Sequence, residues 1–285
     1  MSRSRQPPSR PERSPQSSIR YNPSPGRRAR GLLVLAIRHR LTQPIARRLS
    51  LRRCRQLHAV RNRLAPTRYT DCDPFSLIRV DPDRLTQSVL ETAPKRPQFG
   101  RVVGGDWDRR AEPFAERAVV RGLRQRFVDG WPWEETALYE AFADQLHRFG
   151  NAWGYRSMAG FEPRCREIDA LYDSLRSEGY QRQDHLAGVT HPRLRHRIDE
   201  IGVDIGRDGT IYWRAYGQHR LALAQLLDFD SIPVVVHRRH RHWQKRRDRL
   251  RADEDDFGDG DRNGTATSDA GHPDLRALAN PRSAQ

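Results

Sequence analysis

The residues best suited to chemistry in this 285-residue chain lie together at Gly217-Gln218-His219-Arg220. Glycine has no Cβ, so the backbone can turn tightly there and approach a ligand closely. A helical pattern follows, and the N-terminus of a helix presents unpaired N–H groups that favour an anion. His219 and Arg220 add side-chain donors suited to phosphate. The segment therefore predicts a phosphate or nucleotide site, and the competing interpretation is an ordinary strand-to-helix turn with both side chains in solvent.

The elements that would hold this turn are visible on both sides of it. Residues 201–205 alternate as a strand, residues 207–209 suit a hairpin turn, and residues 210–215 return as a second strand. The pattern then predicts a helix over 218–228 and a β-branched strand over 232–236. This order favours an α+β fold in which the turn joins a strand to a helix.

Three short boxes carry a resemblance to a known family. A predicted helix over 165–178 is followed by a glycine and then Gln183, the turn 217–220 opens a small apolar helix, and residues 227–236 supply a closing strand. In their order and spacing, these boxes resemble the ParB/sulfiredoxin superfamily over roughly 165–240.

The resemblance implies a compact α/β domain that binds ATP or CTP, with Mg, through Gly217, Gln218, His219 and Arg220. Gln183 would contact the base or ribose, and a solvated glutamine is the alternative. Gln218 stands where sulfiredoxin has its cysteine, which disfavours thiol chemistry, and no helix-turn-helix pattern follows to suggest a DNA clamp. We therefore predict a nucleotide-binding protein, with phosphoryl transfer or nucleotide hydrolysis as the compatible reaction class.

A basic stripe at 237–251 follows the last predicted strand, with eight Lys and Arg against one Asp. Arg238 is expected to reach a triphosphate at the turn or a nucleic-acid backbone, and a solvated basic segment is the alternative. His237, His240 and His242 make a poor metal site, because the arginines between them repel a cation and no carboxylate orders them. No metal ligand is predicted.

The net charge of +16 is unevenly distributed. Residues 1–68 contain 18 Arg and a single Glu, whereas residues 69–236 are slightly acidic. The Ser, Arg, Pro and Gln content of 1–30 is typical of disorder, and the pattern over 31–58 predicts a basic amphipathic helix. The arm and the stripe at 237–251 support the alternative function, a non-catalytic DNA- or RNA-binding protein. Contact between the arm and an anionic membrane is a third hypothesis.

Changes in composition predict four regions. Residues 1–72 form the basic arm, and a strand with helical periodicity behind it makes 73–162 an accessory region. The ParB/sulfiredoxin-like domain would occupy 163–243, and 244–285 would be a charged, disordered tail.

Acidic residues outside the turn give few clues to a catalytic group. The segment 104–108 contains two glycines, two aspartates and Trp107, which suit a nucleotide or a metal, although a structural turn around a buried tryptophan is favoured. A general base for phosphoryl transfer would come from Glu178, Asp204, Asp208 or another acid near the turn, and the sequence does not choose among them.

The three cysteines, Cys54, Cys72 and Cys165, are widely spaced and odd in number. They fit neither a disulfide framework nor a zinc site, so a reducing, cytoplasmic setting is expected. The apolar run at 32–37 is too short to span a bilayer, and its long charged leader is unlike a signal peptide.

Overall fold

The structure is a computed structural model. It describes residues 49–90, 97–256 and 271–279, without the side chains of 253–256 and 277–279. The predictions for residues 1–48, which comprise most of the basic arm and of its amphipathic helix, lie outside the described residues.

Along the described chain, a first helix is followed by four strands, five helices, two strands, a helix, a strand and two helices. Within the described residues the helices are α1 (Leu51–Leu64), α2 (Ala118–Phe127), α3 (Ala137–Phe149), α4 (Met158–Glu178), α5 (Gln183–Leu186), α6 (Leu194–Ile198), α7 (Gln218–Leu226), α8 (Arg241–Asp256) and α9 (Pro273–Ala279). The strands are β1 (Leu77–Val80), β2 (Gln87–Val89), β3 (Arg101–Val103), β4 (Ala111–Pro113), β5 (Ile201–Ile205), β6 (Ile211–Ala215) and β7 (Ile232–His240). The predicted α+β fold class is confirmed.

The strands form one mixed sheet in the order β1-β7-β5-β6-β2-β4, with β3 paired to β7 as well. β7 lies antiparallel to β1, where Val235 faces Leu77, and parallel to β5, where Val236 faces Val203. β5 and β6 form the predicted antiparallel hairpin. Strands β1 to β4 come from the predicted accessory region and β5 to β7 from the predicted domain, so both regions contribute to a single sheet.

Helices α2, α3, α4 and α7 build an apolar layer beside the sheet. Their buried residues recur at helical spacing, which is why the sequence pattern found them; Leu123, Leu138, Phe142 and Ile168 are fully buried. Gly122 lets α2 approach α3 closely, because a Cβ there would lie only 2.4 Å from the Leu138 Cβ.

α1 is an amphipathic helix, although its bounds differ from the predicted 31–58. The Ser50 side chain caps its first turn by accepting a backbone N–H. One side of the helix, carrying Leu51, Cys54 and His58, is buried against the body. Over the described residues the helix begins at Leu51 and continues beyond the predicted end to Leu64, and the predicted part before residue 49 lies outside them.

β7 carries charges into the core. Asp204 on the neighbouring β5 accepts hydrogen bonds from Arg238 at 2.6 Å and from Arg214 at 2.9 Å, and all three side chains are buried. A buried ion pair offsets the cost of desolvating its charges only while every partner is present. This cluster therefore ties β5, β6 and β7 together.

Two parts of the predicted charged tail are helical. α8 continues directly from β7, and α9 carries Asp274, which is completely buried. The Asp274 carboxylate accepts hydrogen bonds from Arg239 of β7 and Trp243 of α8, and pairs with Arg247 of α8. This carboxylate anchors α9 to the body, while residues 257–270 and 280–285 lie outside the described part of the chain.

Candidate functional site

The predicted turn forms a left-handed junction between β6 and α7. Tyr216 and Gly217 have φ angles of 59° and 60°, in the region that glycine adopts most readily. A Cβ on Gly217 would also lie 2.6 Å from Ile201 Cγ1, so both the dihedral and the space require glycine. No side chain among the described residues caps α7, and its first N–H groups remain open to an acceptor.

A cavity of about 530 Å³ lies beside the start of α7. Its walls are formed by the first two residues of α7, by β4 and the segment leading into α2, by the loop before α4, and by the first turns of α4. This volume is within the usual range for small-molecule sites, roughly 300–1,000 Å³. The polar residues in the wall are Glu112, Glu116, Arg117, Arg164, Gln218 and His219.

Two buried donors in this wall are unsatisfied. Arg117 Nε and Gln218 Nε2 have no hydrogen-bond partner within the described part of the chain. The rest of the Arg117 guanidinium is held in place, since it pairs with Glu112 and lies 4.7 Å from the Trp213 ring. An unsatisfied buried donor costs about 1–3 kcal/mol, a cost that an acceptor supplied by a ligand would offset.

His219 lines the cavity as a neutral group. Burial lowers the pKa of its imidazole to about 4, and the charges of Arg164 and Arg220 act in the same direction. At neutral pH, His219 can therefore donate one hydrogen bond and accept another, but it brings no positive charge. The charge that would meet an anion comes from Arg117 and Arg164.

The acidic residues of the wall differ in their contacts. Glu112 accepts a hydrogen bond from the Ser88 hydroxyl at 3.1 Å and pairs with Arg117. Glu116 is exposed and has no ion-pair partner among the residues described. It is therefore the wall carboxylate that is free to act on a ligand.

An aromatic wall of Trp153, Tyr155 and Phe161 faces the polar residues. Trp153 has a φ of 51°, which is uncommon for a bulky residue and costs on the order of 1–3 kcal/mol. Paired backbone hydrogen bonds between Ala152 and Tyr155, of 2.9 and 2.8 Å, hold the turn in this conformation. The indole packs beside the Phe142 and Phe161 rings, with centroids 5.4 and 5.7 Å away, and 45% of the residue is exposed.

Two other predicted site residues meet at Glu200, which is not a cavity residue. Arg220 donates to the Tyr180 hydroxyl at 3.2 Å, and its Nη1 lies 3.7 Å from Glu200 Oε2. The backbone N–H of Gln183 donates to Glu200 Oε1 at 2.8 Å. Burial raises the pKa of the Glu200 carboxyl, while Gln183 and Arg220 oppose that rise. The structure thus brings Gln183 and Arg220 together, away from the wall that Gln218 and His219 form.

Arg238 lies in the buried ion cluster described above. Its guanidinium binds Asp204 and lies 4.5 Å from the Trp107 ring. The expectation that Arg238 faces a phosphate or solvent at the end of a strand is corrected, because β7 continues to His240 and is buried throughout. Sequence alone could not show the four-residue extension of this strand, since it consists of histidines and arginines.

The segment 104–108 forms a structural turn. Arg207 donates to both Asp106 and Asp108, at 2.7 and 2.8 Å. Although burial raises the pKa of Asp108, the hydrogen bonds from Arg207 lower it to about 2. Trp107 packs edge-on against Tyr212, with ring centroids 6.2 Å apart. These contacts connect the turn to the β5–β6 hairpin.

The three predicted candidates for a general base do not line the cavity. Asp204 is bound to two buried arginines, and Asp208 accepts the Thr210 N–H inside the hairpin turn. Glu178 is at the surface, where it accepts a hydrogen bond from Gln181. These contacts give each carboxylate a local structural role.

Sequence reasoning missed Arg117, Arg164, Trp153 and Glu116. The arginines carry no local signal, because arginine is frequent along the whole chain. The segment 151–155 did offer a signal, since two aromatic residues flank a glycine between two helices. Only the packing of α2 and α4 beside α7 brings these residues to the predicted turn.

Comparison of the chain with protein-family models, curated proteins and solved structures finds no match. The resemblance to the ParB/sulfiredoxin superfamily stays a prediction. In the described ranges, no group of three His, Cys, Asp or Glu side chains has the arrangement of a metal site. No helix in those ranges is long and apolar enough to cross a membrane. Cys54, Cys72 and Cys165 are free thiols.

Proposed function

We propose that the protein binds a phosphorylated small molecule, of the nucleoside triphosphate class represented by ATP and CTP, in the cavity beside α7. The observation that carries this proposal is the pair of unsatisfied buried donors, Arg117 Nε and Gln218 Nε2, next to an uncapped helix N-terminus. Phosphate oxygens accept hydrogen bonds of this kind strongly, and the helix dipole adds a favourable field.

The two walls of the cavity suit the two ends of a nucleotide. The phosphates would lie against Arg117, Arg164 and the start of α7, and the base would stack on Trp153. Glu116 fits the Mg that accompanies a triphosphate, since Mg in such sites takes one or two carboxylates together with phosphate oxygens. Gly217 shapes the turn, and Arg220 and Gln183 support it through Glu200.

The reaction class that this site supports is phosphoryl transfer or nucleotide hydrolysis. With Glu116 holding Mg, the base would have to be a different group, because a carboxylate bound to a cation is a poor proton acceptor. His219, neutral at pH 7, would orient the attacking hydroxyl or water by a hydrogen bond. The free thiols Cys54, Cys72 and Cys165 support a cytoplasmic setting for this chemistry.

Calorimetric titration of the full chain with ATP, CTP and ADP in the presence of Mg tests the proposal. Arg164→Gln removes a cavity charge and should weaken binding by about tenfold or more, since a charged hydrogen bond contributes roughly 1.5–3 kcal/mol. Arg148→Gln is the matched control: like Arg164, Arg148 lies on a helix in a surface ion pair, but it is not a cavity residue. The proposal fails if no nucleotide binds, or if both variants weaken binding equally.

A second candidate function, DNA or RNA binding, rests on α8. Arg241, Lys245 and Arg249 are exposed at intervals of four residues, and so lie along one side of the helix. Residues 237–240 of the predicted stripe are buried and cannot contribute. Electrophoretic shift of duplex DNA by the chain without residues 1–48 tests this candidate. A steep salt dependence that Lys245→Gln with Arg249→Gln reduces supports it, and no shift excludes it.

A further inference from the structure

The exposed side of α1 carries a stripe of large apolar side chains. Leu57, Val60 and Leu64 are 52%, 52% and 81% exposed. Their spacing of three and four residues places them along one side of the helix, next to the side that packs on the body. Clustered apolar side chains of this size on a surface mark an interaction site more often than single ones do.

Arginines surround this stripe. α1 contains no acidic residue, and each of its five arginines is exposed: Arg52, Arg53, Arg55, Arg61 and Arg63. At 100° per residue, Arg61 lies beside the stripe and Arg53 lies in line with it, one turn before Leu57. Within the described residues, Arg55 is the member of this set that has an ion pair, with Asp73 at 2.8 Å. A molecule that binds this side of α1 must therefore offer both an apolar region and negative charge.

These two requirements decide among partners. A second copy of α1 would bring five more guanidinium groups against the first five, so self-association through this side is repelled. A nucleic-acid backbone would neutralise the arginines but leave the three apolar side chains in water. An anionic lipid surface satisfies both, because its acyl boundary takes apolar side chains while its headgroups take the arginines.

We propose that α1 docks on an anionic lipid surface, with Leu57, Val60 and Leu64 inserted at the boundary between headgroups and acyl chains. The neighbouring side of α1 holds the helix to the body through Leu51, Cys54 and His58, so the stripe is presented in a fixed orientation. This surface is separate from the cavity beside α7, and the inference stands without the proposed nucleotide.

The test uses an environment-sensitive fluorophore attached at position 64. In the full chain, Leu64→Cys with Cys72→Ser leaves the new thiol as the accessible one, since Cys54 and Cys165 are buried. Vesicles containing about 30% phosphatidylserine should raise and blue-shift the emission, whereas pure phosphatidylcholine should not. Leu186→Cys in the same background is the control, because Leu186 is similarly exposed, at 56%, on α5.

Binding by the arginine-rich residues 1–48 alone would bring the protein to the vesicle without burying position 64. No emission change at position 64, or an equal change at 186, therefore overturns the proposal. The double variant Leu57→Ser with Leu64→Ser should lower vesicle partitioning at 0.3 M salt by about tenfold or more, because each substitution removes several apolar carbon groups from the contact between α1 and the membrane. Leu186→Ser should leave partitioning unchanged. A response of the probe at 64 to duplex DNA but not to vesicles assigns the surface to nucleic acid instead.

Discussion

Replacing Asp274 by asparagine tests how α9 is held. The Asp274 carboxylate receives Arg239 Nη2 at 2.5 Å, Trp243 Nε1 at 2.9 Å and Arg247 Nη1 at 3.1 Å. Asparagine has nearly the same shape, so no cavity forms. One carboxylate oxygen is replaced by an amide NH2 group, which is a donor and would face the donors of the neighbouring side chains. The charges of Arg239 and Arg247, whose side chains are 6% and 3% exposed, lose their counter-charge.

The expected loss of stability is large. Breaking a buried ion pair by removing one partner costs about 3–5 kcal/mol. For a unit of this size each kcal/mol lowers Tm by roughly 2–4 °C, so Asp274→Asn should lower Tm by about 6–20 °C. Asp144→Asn is the control, because Asp144 pairs with Arg148 at 3.3 Å on the exposed side of α3. An exposed pair contributes about 1 kcal/mol or less, and the control should stay within about 4 °C of wild type.

Thermal unfolding followed by circular dichroism measures both variants, and hydrogen exchange of the α9 amides shows whether the helix detaches by itself. Burial raises the pKa of Asp274, but the neighbouring Arg239 and Arg247 outweigh it and hold the pKa well below its usual value. The ionised Asp274 carboxylate therefore stabilises the fold fully above the unfolded pKa of about 3.9, and this stabilisation is lost only below that pH. The difference in Tm between wild type and Asp274→Asn should accordingly be constant from about pH 5 to 8. A Tm within about 2 °C of wild type, with unchanged exchange in α9, would refute the reasoning.

Three further perturbations test individual parts of the fold and the site. Gly217→Ala should destabilise the protein by more than about 1 kcal/mol in urea unfolding, because its φ is 60° and its Cβ would meet Ile201; an unchanged midpoint contradicts this. Gly122→Ala should cost about 1–3 kcal/mol by forcing α2 away from Leu138, and a neutral result means that the two helices separate freely. His219 has a pKa of about 4 in the folded state, so the unfolded chain binds an extra proton between pH 6.5 and 4 and stability falls across that window. His219→Gln should therefore show a smaller loss of stability from pH 7 to 4.5 than wild type does, and an equal loss contradicts the assigned pKa.

Local patterns predicted the centre of the fold well. The hairpin of β5 and β6, the start of α7 at Gln218 and the first five residues of β7 follow from alternation, turn residues and helical periodicity, which are properties of neighbouring residues. The helical periodicity of 73–162 and the helix predicted over 165–178 correspond to α2, α3 and α4 for the same reason.

Long-range pairing accounts for what the sequence did not reveal. The polar end of β7 is stabilised by Asp204 and Asp274, which lie 34 and 35 residues from their arginine partners. Those carboxylates make Arg238 and Arg239 core residues, although both lie in a basic segment whose composition is typical of a solvent-exposed surface. A sequence pattern reports which residues are neighbours along the chain, and these charges are compensated across the sheet.

The candidate site was predicted only in part. Gln218 and His219, directly after Gly217, form one side of the cavity because the strand-to-helix turn is a local feature. Arg117, Arg164 and Trp153 complete it from three other segments. Arg220, which suits phosphate best by residue type, instead supports the turn by contacts with Tyr180 and Glu200.

The most direct measurement of the central claim observes the two unsatisfied donors themselves. In ¹H–¹⁵N spectra, the Arg117 Nε–H and the Gln218 side-chain amide should shift progressively and saturably as ATP or CTP is added with Mg, because each gains a phosphate acceptor. The Arg148 Nε–H, on the exposed side of α3, is the internal control and should not move. Saturable shifts at Arg117 and Gln218 together support a phosphate site in the cavity. Unchanged signals at both residues under saturating nucleotide would contradict it.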